Sequence, residues 1–168
     1  MGDTFVIRAS TQADLHRVDA LLARSYPALL KSAYPASVLV TAIPLISKAQ
    51  PHLLASGTYF VVTDGEEIVG AGGWTRASPR ARGHAKNAGA HIRHVVTDHR
   101  LVRAGIGRRL MHHIFATARQ AGVTRLECLS TLMAEPFYQA VGFETVAPVT
   151  LNLRAGIDFP VVQMRHDL

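Results

Sequence analysis

Apolar residues recur every three or four positions in two long stretches of the chain. The first stretch holds Leu15, Val18, Leu21 and Leu22, and the second holds Ile106, Leu110, Ile114 and Ala118. The first predicts a helix that Ser10 or Thr11 caps, and the second predicts a helix over 106–121 that Gly122 ends.

Proline divides the rest of the helical pattern. "SYP" at 25–27 and "AYPAS" at 33–37 predict two breaks, with a further helical piece from about Ala36 to Lys48 that Pro44 kinks or shortens. "AEPFYQAVGF" at 134–143 predicts a short helix.

Short apolar or alternating runs predict seven strands. They cover residues 4–8, 58–63, 67–75, 91–97, 125–130, 144–152 and 159–165. Asp64-Gly65 predicts a tight hairpin between the second and third strands, and 76–90 predicts a loop of small and basic residues. The order β-α-α-β-β-β-α-β-α-β-β predicts a mixed α/β sheet in one domain over residues 1–168.

Composition favours a globular, cytoplasmic protein. Among 168 residues, 48% are hydrophobic and 18% are charged, which disfavours disorder. No apolar run is long enough for a membrane helix, and MGDTFVIRAS lacks the regions of a signal peptide. The single cysteine, Cys128, excludes an internal disulfide and fits a reducing compartment.

The chain is basic, with a formal net charge of +6 and a pI near 10.1. It has no long run of lysine and arginine, and its arginines are densest between Arg100 and Arg109. This distribution favours a local anion site over a nucleic-acid surface, for which the pattern of aromatic and basic residues is missing.

The stretch "RAGIGRRL" at 103–110 lies where a strand gives way to a helix. Free N–H groups at a helix N-terminus bind phosphate well, and Gly105 and Gly107 let a ligand approach the backbone. The alternative is that both glycines serve only turn geometry and close packing. The stretch matches neither a Walker loop nor a complete dinucleotide fingerprint.

A longer segment, "HVVTDHRLVRAGIGRRLMHHIFATARQAGVTRLECLSTLMAEPFYQAVGF" at 94–143, resembles the GNAT superfamily of N-acetyltransferases. Two motifs carry the resemblance: the loop Val102–Gly107, of the form [QR]-x-x-G-x-[GA], and the "Y-x-x-x-G-F" run Tyr138–Phe143. The first loop position is Val102 where the family usually has Gln or Arg. Arg103 or Arg100 would supply the missing charge.

The resemblance implies a GNAT-type acyl-CoA N-acyltransferase fold, whose central mixed, mostly antiparallel twisted sheet is flanked by helices, and acetyl-CoA as co-substrate. The implied cofactor-binding residues are Val95, Val96 and Thr97 for the acetyl and pantetheine arm, Arg103, Ala104, Gly105, Ile106, Gly107 and Arg108 for the pyrophosphate, and Thr131. Thr131 also suits a helix cap. Tyr138 is implied beside the CoA sulfur, where a phenol is a suitable proton donor to a departing thiolate.

The proton acceptor is harder to assign. His91 lies on the strand that leads into the implied acetyl site, where some relatives carry a glutamate. The alternative is that His91 is a partly exposed strand residue without a catalytic role. Strand alternation places His94 on the opposite face, so without a bulge only one of the two faces the site. Glu127, or water alone, are other candidates.

Nine histidines invite a metal hypothesis, but no metal-ligand spacing is present and no metal is predicted. Trp74 and Tyr59 suit either core packing or an acceptor pocket.

The sequence therefore predicts an acetyltransferase acting on a primary amine of a small molecule or peptide. The alternative is a non-catalytic acyl-CoA-sensing domain of the same fold. The amine acceptor is unknown, nucleic acid and membrane are not predicted as partners, and a homodimer is left open.

Overall fold

The computed structural model describes residues 4–76, 89–154 and 156–168, and its centre is a seven-stranded sheet in the order β1-β2-β3-β4-β5-β7-β6. The strands are β1 Phe5–Ala9, β2 Tyr59–Asp64, β3 Glu67–Thr75, β4 Gly89–Thr97, β5 Arg125–Ser130, β6 Glu144–Arg154 and β7 Ile157–Asp167. Neighbouring strands are antiparallel except β4 and β5, which are parallel. The predicted mixed, mostly antiparallel sheet is confirmed.

Among the described residues, five α-helices connect or flank these strands. They are α1 Leu15–Leu30, α2 Ala36–Ile46, α3 Pro51–Leu54, α4 Ile106–Gln120 and α5 Glu135–Ala140. A short 3-10 turn precedes α1 at Gln12–Asp14, where the Thr11 and Asp14 side chains form a reciprocal capping box. The pattern did not predict α3.

The predicted break at 25–27 is wrong, because α1 continues through Pro27 to Leu30. Proline removes the bond to the carbonyl four residues earlier, but Pro27 lies on the exposed side of the helix. Leu22 and Leu30, one on each side of Pro27, are almost completely buried, so packing holds the helix together. Pro44 lies on the exposed side of α2 in the same way, and α2 ends at Ile46.

The helices form layers on both faces of the sheet. The apolar stripe of α4 packs with Phe60, Val62 and Trp74 on one face, which we call the α4 face. Leu21 and Leu22 of α1 pack with the other face, which we call the α1 face. A third cluster, centred on Tyr34 and Phe159, lies under α2 at the β7 end of the sheet.

Some boundaries differ from the predicted ones. The last two strands are longer than expected and pair as a hairpin, Glu144–Arg154 with Ile157–Asp167. Of the predicted loop at 76–90, Gly89 and Ala90 belong to β4, and 77–88 lie outside the described residues. No helix in the described part of the chain has the length and apolar character needed to cross a membrane.

Candidate functional site

The strands β4 and β5 separate soon after they begin to pair. Their parallel register covers only Gly89–Arg125, Ala90–Leu126 and His91–Glu127. Beyond His91, β4 stays paired with β3 on one side, but no described strand lies along its other side up to Thr97. Since alternate peptide groups of a strand point to opposite sides, this stretch has donors and acceptors available to a ligand.

A bulge lies in this free stretch. The register between β3 and β4 shifts between Ala71 and Gly73, so that β4 has one residue more than β3 there. His94 takes up the extra length with a φ of 52°, a conformation that histidine adopts more readily than most residues. The Tyr59 hydroxyl donates to the His94 carbonyl oxygen at 3.0 Å and fixes the bulge.

Because of the bulge, His91 and His94 lie on the same face of the sheet, whereas strand alternation predicted opposite faces. The His91 neighbours Ala90 and Ile92 belong to the core of the α4 face, which places His91 on the α1 face. The His94 ring also turns to the α1 face, where Nε2 lies 2.7 Å from the Ile46 carbonyl oxygen in α2. The expectation of opposite faces is therefore wrong, because the extra residue resets the alternation.

The loop that joins β4 to α4, residues 98–105, is here called the glycine loop. Arg103 and Gly105 have positive φ values of 69° and 82°, and Gly105 caps α4. Within the described residues, the backbone N–H groups of Arg103, Gly105, Ile106, Gly107 and Arg108 have no acceptor. They form a set of unpaired donors at a helix N-terminus, which suits a phosphate group.

The two glycines have different reasons to be there. A Cβ on Gly105 would meet nothing within 4 Å, so this position needs glycine only for its positive φ. A Cβ on Gly107 would lie 3.0 Å from Phe137 of α5 and 3.5 Å from Thr97 of β4. Gly107 is thus the place where the first turn of α4, the end of β4 and α5 meet.

A buried carboxylate anchors the glycine loop. Asp98 is completely buried and accepts from the backbone N–H and guanidinium of Arg100 and from the Arg24 guanidinium of α1, at 2.7–3.2 Å. These donors, first the Arg100 guanidinium, hold the pKa of Asp98 well below its usual range. Sequence reasoning missed Asp98 and Arg24, which are 74 residues apart in the chain.

The arginines around the glycine loop divide into two groups. Arg100 is bound by Asp98 and by Glu67, at 2.7 Å in each case, so it does not supply the charge that Val102 lacks. Arg103 and Arg108 are exposed and form no ion pair with any described residue. Arg103 is therefore the neighbour of Val102 whose charge is available to a ligand.

Tyr138 is buried on α5, with its ring edge-on to those of Phe137 and Phe143 at centroid distances of 5.2 and 5.4 Å. Burial, followed by the charge and hydrogen bonding of the neighbouring Cys128 thiol, raises the pKa of Tyr138 well above its usual value near 10. A phenol in this environment stays protonated at neutral pH.

His91 lies where β4 and β5 are still paired. Its Nδ1 is 3.7 Å from Glu127 Oε2, and Glu127 is 40% exposed. Burial lowers the pKa of His91, while Glu127 opposes that effect. The structure therefore brings His91 and Glu127, two of the predicted base candidates, together.

Other predicted residues are placed as follows. Thr131 precedes a 3-10 turn without capping it by its side chain, and its hydroxyl lies 3.2 Å from Met133 Sδ. Trp74 is in the core and donates from Nε1 to the Thr117 hydroxyl at 3.0 Å. Cys128 is buried, which raises its pKa to about 12. Residues 4–76, 89–154 and 156–168 contain no group of three metal-ligating side chains that could hold an ion.

The diverging strands, the unpaired N–H groups at the start of a helix and the buried phenol form an arrangement that suits an extended ligand with a phosphate group. Comparison with known proteins is consistent with a ligand of this class. The sequence model of the acetyltransferase (GNAT) domain matches residues 40–168. The chain belongs to the GNAT acetyltransferase family.

Solved structures share the fold. The PaiA N-acetyltransferase from Thermoplasma acidophilum, in complex with coenzyme A, has a TM-score of 0.73 at 12% identity, covering 99% of this chain and 100% of that one. A GCN5-related N-acetyltransferase from Rhodopseudomonas palustris has a TM-score of 0.76 at 16% identity, covering 100% and 98%. N-acetylglutamate synthase from Neisseria gonorrhoeae, complexed with coenzyme A and N-acetyl-glutamate, has a TM-score of 0.63 at 19% identity, covering 100% and 36%. No curated protein sequence matches the chain.

Proposed function

We propose that residues 1–168 act as one acetyltransferase domain that transfers the acetyl group of acetyl-CoA to a primary amine of a small molecule or peptide. The observation that carries the proposal is the meeting of three parts at Gly107. The unpaired N–H groups, the free end of β4 and the helix that bears Tyr138 all lie against this glycine. Direct attack of the amine, with both substrates bound, needs these parts side by side.

The residues present fit acetyl-CoA. The unpaired N–H groups from Arg103 to Arg108, which include those of Gly105, Ile106 and Gly107, suit the pyrophosphate, and Ala104 completes the curve of the loop between two positive-φ residues. The Arg103 and Arg108 guanidinium groups add positive charge.

The free side of β4 suits the pantetheine arm. Its amide groups can pair with the backbone at Val95, Val96 and Thr97 like an added strand. The Thr131 hydroxyl, just beyond the end of the diverging β5, donates to Met133 Sδ and has lone pairs left to accept from an amide N–H of the same arm.

Bound acetyl-CoA supplies a thioester with a thiolate leaving group. Tyr138 keeps its proton because burial raises its pKa, and it donates that proton to the departing sulfur. His91, whose pKa burial lowers, and the neighbouring Glu127 are one candidate pair for accepting the proton of the amine. The low-pH form of His91 is charged and cannot accept a proton.

Binding is tested first, by calorimetric titration of the purified protein with acetyl-CoA. We expect saturable binding on the order of micromolar, which Gly105→Glu weakens at least tenfold because a carboxylate then faces the pyrophosphate. Gly122→Glu is the matched control, since Gly122 also has a positive φ, of 80°, and nothing within 4 Å, but lies at the opposite end of α4. Equal weakening by both variants, or no binding up to about millimolar, would contradict the cofactor site.

Turnover is tested by thiol release with a panel of ethanolamine, 2-phenylethylamine, spermidine and a tripeptide with a free N-terminus. Tyr138→Phe keeps the ring and removes the proton donor, so we expect it to lower kcat by about 100-fold while acetyl-CoA still binds. Unchanged kcat would remove Tyr138 from the mechanism.

The non-catalytic sensing domain is the second candidate, and the exposed Val102 in place of a polar loop residue favours it. Tight acetyl-CoA binding without thiol release on any amine would support sensing. The single reduced and buried Cys128 is compatible with a cytoplasmic location for either function.

A further inference from the structure

His94 is held at the β4 bulge by contacts at both its backbone and its ring. Its carbonyl oxygen accepts from the Tyr59 hydroxyl, and its ring lies 6.0 Å from the ring of Tyr26 in α1. The ring Nε2 lies 2.7 Å from the Ile46 carbonyl oxygen. Three elements, β2, α1 and α2, therefore fix its position.

The Ile46 contact determines the tautomer of the ring. A carbonyl oxygen can only accept a hydrogen bond, so Nε2 carries the hydrogen and, in the neutral ring, Nδ1 has the lone pair. Among the described residues, His94 Nδ1 has no hydrogen-bond partner. It is also not fully enclosed by the protein. The ring therefore has a basic nitrogen that is unpartnered among the described residues and not fully enclosed.

The surroundings keep this ring neutral at pH 7. Burial favours the neutral form most, and the positive charge of Arg93 on the same strand adds to it. The facing helix segment Ala36–Ile46 of α2 contains no ionisable residue. The hydrogen bond to Ile46 and the negative charge of Asp19 on α1 act in the opposite direction, but less strongly. Tyr26 and Tyr59, the other titratable groups nearby, stay protonated because burial raises the pKa of each. The net effect is a lowered pKa for His94.

We infer that His94, through Nδ1, is the group that receives the proton of the attacking amine, an assignment that rests on the proposed function. His91 has its Nδ1 directed at Glu127 and lies where β4 and β5 still pair. His94 lies beyond the point of separation, in the stretch where the thioester would be held, and its ring is 6.0 Å from that of Tyr26.

The proton balance closes with the groups named. The amine nitrogen forms a bond to the acetyl carbon as the carbon–sulfur bond breaks, and its proton passes to His94 Nδ1. Tyr138 gives its proton to the sulfur, so the products are an amide and free CoA thiol. The extra proton on His94 then returns to the Tyr138 oxygen through solvent, and both residues regain their starting state.

The variant that tests this is His94→Asn, because asparagine tolerates a positive φ and has no basic nitrogen. With the best amine of the panel, we expect kcat to fall about 100-fold while acetyl-CoA affinity changes less than threefold. In the wild type, kcat should fall as pH drops through an apparent pKa below 6.5, and this acid limb should vanish in the variant. His112→Asn, at an exposed position on α4, is the control and should keep both the rate and the limb.

His91→Gln is the competing variant. If it abolishes the acid limb while His94→Asn retains it, the proton acceptor is His91 and the inference is overturned. If His94→Asn lowers the melting temperature and acetyl-CoA affinity together with kcat but leaves the acid limb, its role is structural and the inference is likewise overturned.

A measurement that needs no acceptor separates this inference from the proposed function. Nitrogen-15 spectra of the histidine rings in the full chain with CoA, assigned by comparison with His94→Asn, should show a neutral His94 ring protonated at Nε2. A ring that is charged at pH 7, or protonated at Nδ1, would overturn the inference even if the protein is an active acetyltransferase.

Discussion

Replacing Asp98 by asparagine should destabilise the protein more than any change to an exposed ion pair. The Asp98 side chain is completely buried, and two elements supply its donors: α1 through Arg24, and the glycine loop through the backbone and side chain of Arg100. Asparagine keeps the shape and one acceptor oxygen but removes the charge. Two guanidinium groups then lose their shared anion.

The expected magnitude follows from the exposure of the two arginines. Removing one partner of a buried ion pair costs about 3–5 kcal/mol. Arg100 is 52% exposed and keeps Glu67, and Arg24 is 26% exposed and keeps the Ile68 carbonyl oxygen, so the lower end applies. A loss of about 3 kcal/mol lowers the melting temperature of a chain of this size by roughly 6–12 °C.

The assay is thermal unfolding at pH 7, followed by acetyl-CoA titration below the transition. The control is Asp167→Asn, which breaks the Arg125–Asp167 pair. Its side chains are 48% and 73% exposed, so solvent screens the pair and its loss should change stability little. Asp98→Asn should also weaken acetyl-CoA binding, because the carboxylate fixes the start of the glycine loop. A melting temperature within about 2 °C of the control would refute the reasoning.

Three further outcomes follow from the site and from the β1–α1 junction. Arg103→Gln should weaken acetyl-CoA binding about fivefold, roughly 1 kcal/mol, whereas Arg100→Gln should mainly lower the melting temperature. If Arg100→Gln weakened binding more than Arg103→Gln, Arg100 would be the arginine that contacts the ligand. Gly107→Ala should weaken acetyl-CoA binding in calorimetry, because the new Cβ would lie 3.0 Å from the ring packed over it, and unchanged affinity would show that this ring yields freely. The Arg8 guanidinium lowers the pKa of the buried Asp14 carboxyl from 3.8 to about 2. This shift contributes at most about 2 kcal/mol to the free energy of unfolding, present above pH 4 and lost as pH falls towards 2. Arg8→Met should therefore flatten the dependence of urea unfolding on pH in that range.

Local patterns predicted most of the fold because the elements concerned are determined locally. The apolar stripe of α4 and the Asp64-Gly65 hairpin need only the spacing of neighbouring residues, and both are in the structure. The glycine loop was predicted for the same reason, since a strand, a turn and a helix follow one another directly. The break at Pro27 was predicted wrongly because local propensity does not register the burial of Leu22 and Leu30, which keeps α1 intact.

The parts of the site that the sequence did not predict depend on contacts between distant segments. Asp98 and Arg24 meet only when α1 lies across β4, and neither residue stands in a recognisable local motif. The contact of the His94 ring with Ile46 likewise requires α2 to close over the bulge. The periodicity of a strand predicts the face on which each residue lies. It does not predict a bulge, which is an extra residue relative to the partner strand.

The partner strand does carry a signal for that extra residue. β3 contains "GAGG" at 70–73, an unusual run for a central strand, where glycine packs poorly. A Cβ on Gly72 would lie 2.7 Å from Val95 Cγ2 and 3.1 Å from Val95 Cα, so the bulged backbone of β4 needs a glycine opposite it. The run therefore makes room for the bulge, and the bulge turns His94 to the face where His91 already lies. Glycines in the neighbouring strand, rather than the histidines themselves, thus determine on which face of the sheet the His94 ring lies.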